Sequence, residues 1–200
     1  MSNIWREQLA QNRDFSEDTK LIKTIKFRLK DISSQTIIST LKTNPGKLNF
    51  LAKIKDTHIS EPYLNINNFE HRRAITKIRT SSHKLEIETG RWNKMQRENR
   101  ICENCALGKI EEELHLLFNC RKHETERRKL FEVLKHKMNV DLSLIPTIEE
   151  KIIKIFSSND LSSLNTLGTF IKNALSKREN VTCYVLPPHY VYYQDTAQAP

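Results

Sequence analysis

The chain predicts a mostly α fold, a small helical bundle with an irregular zinc knuckle of CCHC type inserted between helices. Three observations carry this. Only four glycines occur in 200 residues, so few positions favour breaks in regular structure. Apolar residues recur at spacings of three and four, the period of an amphipathic helix. Three of the four cysteines, with one histidine, fall within the nineteen residues from Cys102 to Cys120.

The elements follow in order. Residues 3–11 read as a short helix, with Trp5 and Leu9 one turn apart. Ser16, followed by Glu17 and Asp18, starts a second helix. Leu21, Ile25 and Leu29 form its apolar face, and Lys20, Lys23, Lys26 and Lys30 the opposite one. This pattern predicts a half-buried helix with a solvated basic side. Residues 33–44 are polar around Ile37 and Ile38, and Asn44-Pro45-Gly46 is a strong break. Leu48, Leu51 and Ile54 suggest a short helix, and Pro62 ends whatever precedes it.

Asn67 or Asn68 caps a helix reaching about Ser82, to which Phe69, Ile75 and Ile78 contribute apolar side chains. Gly90 marks a turn, and Trp92 after it reads as a local core anchor. After Gly108, Glu111 to Glu113 open a helix on which His115 lies, with Leu114, Leu117 and Phe118 as packing residues. Residues 121–138 are helical through Leu130, Leu134 and Met138. Pro146-Thr147 with Glu150 resembles a capping box, leading into Ile148, Ile152 and Phe156. Asn159-Asp160 restarts the chain, and Leu161, Leu164, Ile171 and Leu175 trace the closing helix. Gly168 shares that stripe and invites close approach by another helix. Four units are expected: 1–66, 67–140, 141–180 and a disordered tail at 181–200. No internal repeat is present.

The net charge of +9 and a pI of about 9.4 favour polyanions. From His71 to Arg100, nine Lys or Arg face three Glu. That run supplies most of the net charge and leads into Cys102. Arg72, Arg73, Lys77, Arg79, His83, Lys84, Arg91, Lys94, Arg97 and Arg100 are the candidate contacts to nucleic acid. Trp92 joins them if it stacks on an unpaired base instead of packing inward.

Cys102, Cys105, His115 and Cys120 form C-x2-C-x9-H-x4-C, whose ligand types and paired spacing suit Zn²⁺. Four protein ligands close its tetrahedron, so the metal's expected role is structural. His123 is a poorer fourth ligand by position, and Cys183 stands apart. Clustered metal-type cysteines, with no disulfide framework, suggest a nuclear or cytoplasmic protein. The N-terminus lacks a signal-peptide layout. Apolar runs fall far short of the roughly twenty residues that span a bilayer, so no membrane partner is expected. Glu86, Glu88 and Glu111 to Glu113 lack a companion nucleophile or base and read as helix-start and surface charge. No catalytic residue is expected.

The run Arg72-Arg-Ala-Ile-Thr-Lys-Ile-Arg-Thr-Ser-Ser-His-Lys-Leu-Glu-Ile-Glu-Thr-Gly-Arg-Trp92 resembles the C-terminal region of LINE-type (non-LTR) retrotransposon reverse transcriptases. So do Arg97-Glu-Asn-Arg-Ile-Cys102 and Glu112-Glu-Leu-His-Leu-Leu-Phe-Asn-Cys120. Leu167 to Arg178 looks like that family's closing helix. The resemblance is most specific over residues 69–122. It implies a zinc-binding module that contacts RNA or single-stranded nucleic acid, with Cys102, Cys105, His115 and Cys120 as ligands. Arg72, Arg73, Lys77, Arg79, His83, Arg91 and Trp92 match its basic stretch. The chain departs from the family in lacking the polymerase's paired aspartates, and Tyr192-Tyr193-Gln194-Asp195 offers only one. Neither polymerase nor endonuclease activity is implied, and the chain reads as a C-terminal fragment. Two other readings remain: a protein-interaction module acting through the Leu161–Leu175 stripe, and a retroelement remnant without independent function.

Overall fold

The computed structural model describes residues 15–179, with side chains described from 19 to 177. The helix expected at 3–11, the tail and Cys183 lie outside them. Helices dominate, and the described residues contain no strand beyond an isolated antiparallel bridge between Ile101 and Ile110. None of the described helices is long and apolar enough to cross a membrane.

α1 spans Phe15–Thr43 without interruption. The polar stretch is helical too, and its hydroxyls find their acceptors on the helix itself by bonding back one turn. Ser34 Oγ donates to Lys30 O at 2.8 Å, Thr36 Oγ1 to Ile32 O at 2.8 Å, and Thr43 Oγ1 to Ser39 O at 2.9 Å. The expectation of a half-buried first half is corrected: Leu21, Ile25 and Leu29 are all exposed. Only the second half of α1 is partly covered, through Ser34, Ile38 and Leu41. On a helical wheel those three lie roughly opposite the Leu21–Ile25–Leu29 stripe. The stripe therefore points away from the line on which α1 touches the body.

α2, Asn49–Ile54, buries Phe50 and Ile54, and the Phe50 ring meets Phe156 edge-on at 5.4 Å. Pro62 does more than stop the chain. It opens the single turn Pro62–Asn65, where a missing N–H costs nothing, and that turn carries Tyr63 into the core. α3, Phe69–Arg79, is capped by Asn68, whose Oδ1 accepts from Glu70 N at 3.0 Å and His71 N at 3.3 Å. It buries Ala74, Ile75, Ile78 and, against expectation, Arg79. Phe69, expected to pack inward, is exposed in the first turn, and the Arg72 guanidinium lies over its ring at 5.8 Å.

α4 is the short helix Glu86–Trp92. Gly90 is helical and does not mark a turn. A Cβ there would lie 2.6 Å from Arg100 Cγ, so the glycine makes room for the Arg100 side chain. Trp92 is exposed at the helix end and anchors no core. α5, Glu124–Met138, follows the knuckle and ends at Asn139 in the left-handed region. Its acids Glu124 and Glu126 occupy the first turn, ahead of most of the cations the sequence places there. α6, Ile148–Phe156, begins at Thr147, whose Oγ1 accepts from Glu150 N at 3.2 Å. α7, Leu161–Glu179, starts behind Asp160, whose Oδ2 accepts from Ser163 N at 2.8 Å.

α7 is the axis of the bundle, packed on α3 along one side and on α5 along another. The close approach expected at Gly168 is present: a Cβ there would meet His71 Cβ at 2.6 Å and His71 Cα at 3.0 Å. The N-terminal turn of α3 lies against Asn165 and Thr169 through His71. Of the expected stripe, Leu164, Ile171 and Leu175 are buried within the chain, together with Leu167, and Leu161 at its N-terminal end is exposed, so most of the surface expected to serve an outside partner is already occupied. One apolar cluster runs from Phe50 through Ile78 and Leu134 to Leu175. The expected boundaries at 66/67 and 140/141 therefore do not separate cores.

Candidate metal centre and the cations around it

The chain reverses at Gly108, whose φ of +58° favours glycine. The two arms of that reversal pair through Cys102 N to Lys109 O at 2.8 Å and Glu111 N to Arg100 O at 2.9 Å. The helix expected from Glu111 begins two residues later and passes at once into a π turn, His115–Asn119. This turn explains the H-x4-C spacing. In an α-helix, residues five apart point about 140° away from each other. Here Cys120 N donates to His115 O at 2.7 Å, an i→i+5 bond that brings the two ligands to one side.

The metal-ligating atoms of Cys102, Cys105, His115 and Cys120 all lie within 4.8 Å of one another. Cys102 Sγ is 4.0 Å from Cys120 Sγ, and Cys105 Sγ is 3.3 Å from His115 Nε2. The three thiols are free, with Cys102 and Cys120 buried. His123 is buried beside the group without belonging to it. The four residues thus form a candidate metal site, with Nε2 as the histidine's inward atom.

The surroundings fit a cation. The backbone N–H of Asn104 bonds to Cys102 and that of Lys122 to Cys120, each two residues beyond its cysteine. Burial, followed by the nearby Glu111 carboxylate, pushes the Cys102 thiol well above its ordinary pKa. Burial also raises Cys120 and lowers His115. As thiolates, the form that ligates a metal, these desolvated groups beside a carboxylate need positive charge to offset them. Arg127, buried on α5, supplies some, with Nη1 donating to Cys120 O at 3.0 Å.

The expected reading of the carboxylates as surface charge is corrected for Glu88, Glu111 and Glu113, which are buried. Glu111 accepts from Glu86 N at 2.8 Å and from Asn104 Nδ2 at 3.2 Å, tying α4 to the knuckle. Glu113 accepts from Ser81 Oγ at 2.7 Å and from His83 Nε2 at 2.9 Å, tying the end of α3 to the π turn. Burial alone would raise the Glu113 carboxyl, but the His83 and Ser81 bonds hold it below its ordinary pKa. Short-range sequence patterns carry no signal for the pairs with Ser81, His83 and Glu86, whose partners are 25 to 32 residues apart.

The basic run divides sharply. Arg79 is 2% exposed. Its Nη2 sits 2.6 Å from Glu61 Oε1, and its guanidinium lies 5.1 Å from the Tyr63 ring and 5.9 Å from that of Phe156. Arg79 and His83 are therefore removed from the surface that a polyanion can reach. Arg100 donates to Ile87 O at 2.9 Å and to Met95 O at 2.7 Å. Arg91 pairs with Glu88, Arg97 pairs with Glu112, and Arg72 donates to Ile66 O. Arg73, Lys84, Lys94 and Trp92 are exposed, and Lys77 is half-buried.

No family model, curated protein or solved structure matches the chain.

Proposed function

We propose that this chain is a non-catalytic, zinc-stabilised module that contacts RNA or single-stranded nucleic acid through exposed basic residues. The observation that carries the reading is the convergence of three cysteines and one histidine within 4.8 Å, at the end of a run rich in Lys and Arg. Three thiolates and an imidazole suit Zn²⁺ better than hard cations such as Mg²⁺ or Ca²⁺. The resemblance to the post-polymerase region of LINE-type reverse transcriptases points the same way. Bound there, zinc supplies cross-links that fix the reversal at Gly108 to the π turn. The buried Glu111 and Glu113 then join that unit to α4 and to the end of α3. The cations left exposed neutralise phosphates, a contact that carries little sequence information.

The test is binding of the zinc-loaded full chain to a fluorescent single-stranded RNA at low salt, before and after chelation. Affinity should fall steeply with salt and should be lost when chelator removes the metal. A zinc-loaded chain that binds no RNA or DNA at low salt overturns the reading.

A further inference from the structure

α3 and α7 enclose a polar groove of about 390 Å³ beyond their close contact at His71 and Gly168. Its lining places Arg73 and Lys77 of α3, Lys84 of the following loop and Lys172 of α7 around one concavity. Glu70 is the single carboxylate there. Ala74 and Leu175 form an apolar floor.

We propose that this groove is where the module holds the phosphodiester backbone of a single strand, with Lys172 as a contact that the basic run alone does not reveal. The proposal rests on the nucleic-acid reading above and gives it a location. Three features separate this surface from the rest of the basic run. Cations from two helices and a loop surround it, whereas Arg91, Arg97 and Arg100 are committed to internal carboxylates and carbonyls. The side-chain cations of Arg73, Lys77 and Lys172 have no ion-pair or hydrogen-bond partner among the described residues, so binding need not break an existing bridge. Arg73 and Lys77 are one turn, about 6 Å, apart along α3, an arrangement that tracks a strand.

The experiment compares three forms of the zinc-loaded full chain by fluorescence anisotropy with a single-stranded RNA over a KCl series. They are the wild type, the triple variant Arg73→Ala/Lys77→Ala/Lys172→Ala, and a charge-matched control, Lys20→Ala/Lys23→Ala/Lys26→Ala on α1. Circular dichroism checks that all are folded. Each lost phosphate contact on a single strand should reduce the slope of log affinity against log salt by about 0.7, so the groove variant should lose about 2. The control should keep the wild-type slope, and Lys172→Ala alone should lose about 0.7. A groove variant with the wild-type slope, or a control that loses as much, overturns the groove while the nucleic-acid reading stands. A wild type without salt-dependent binding overturns both.

Discussion

The two ends of the basic run carry similar charge and meet different fates. On the α3 side, Arg73 points outward while Arg79, less than two turns later, is sealed between Glu61, Tyr63 and Phe156. On the knuckle side, Arg91, Arg97 and Arg100 are drawn onto Glu88, Glu112 and backbone carbonyls. The contrast teaches that a row of cations in sequence mixes charges that build the fold with charges left over for a ligand. Burial and partner distance sort them, and charge count does not.

The largest effect should come from the sealed cation. Arg79→Ala leaves Glu61 to Lys55 alone, 2.6 Å away, and removes packing against two rings. Breaking a buried pair costs about 3 kcal/mol at the low end, the end expected here because Glu61 keeps some exposure and a second cation. Arg73→Ala should stay within about 0.5 kcal/mol of wild type. Urea unfolding of the two variants checks this, and equal stabilities would erase the distinction between building and binding charges.

A smaller loss is expected at Gly168. Alanine there gains about 1 kcal/mol in helix propensity. Its Cβ nonetheless presses on His71 Cα and O, each 3.0 Å away. Backbone cannot swing aside, so α3 and α7 must separate, at a gross cost of about 1–3 kcal/mol. Thermal unfolding should show a net decrease, together with weaker RNA binding because the groove is built on that contact. An unchanged Tm would mean that the helices slide past each other freely.

The smallest effect on stability belongs to Trp92. Its ring is exposed, so Trp92→Ala should alter stability by no more than about 0.5 kcal/mol. If the ring stacks on a base, single-strand affinity should drop about tenfold. Duplex binding should be unaffected. A large loss of stability would return Trp92 to the role of a core anchor.

Much of the fold is legible in the sequence. Asn68, Thr147 and Asp160 sit at helix starts, and Gly168 marks the close helix crossing. The cysteines and histidine announce their own convergence by residue type and spacing. What the sequence hides is long-range. Helical periodicity shows that α1 and α7 each have an apolar side, but not that α7 fills its side with α3 and α5 while α1 leaves Leu21, Ile25 and Leu29 in water. Gly90 suggests a turn because glycine usually serves backbone freedom, whereas here it serves Arg100. Glu111 and Glu113 look like ordinary surface acids because their donors come from distant segments. Lys172 lies 88 to 99 residues along the chain from the cations it joins.

The claim beneath all of this is that a metal holds the knuckle and, through Glu111 and Glu113, the surfaces on either side of it. The most direct measurement is the metal content of the purified full chain, followed by circular dichroism and thermal unfolding as chelator is added. One zinc per chain is expected, with Tm falling sharply on its removal, and Cys105→Ser should reproduce the metal-free behaviour because metal binding and folding are coupled. A metal-free chain that is fully helical, with a Tm unchanged by zinc or chelator, would contradict the account at its centre.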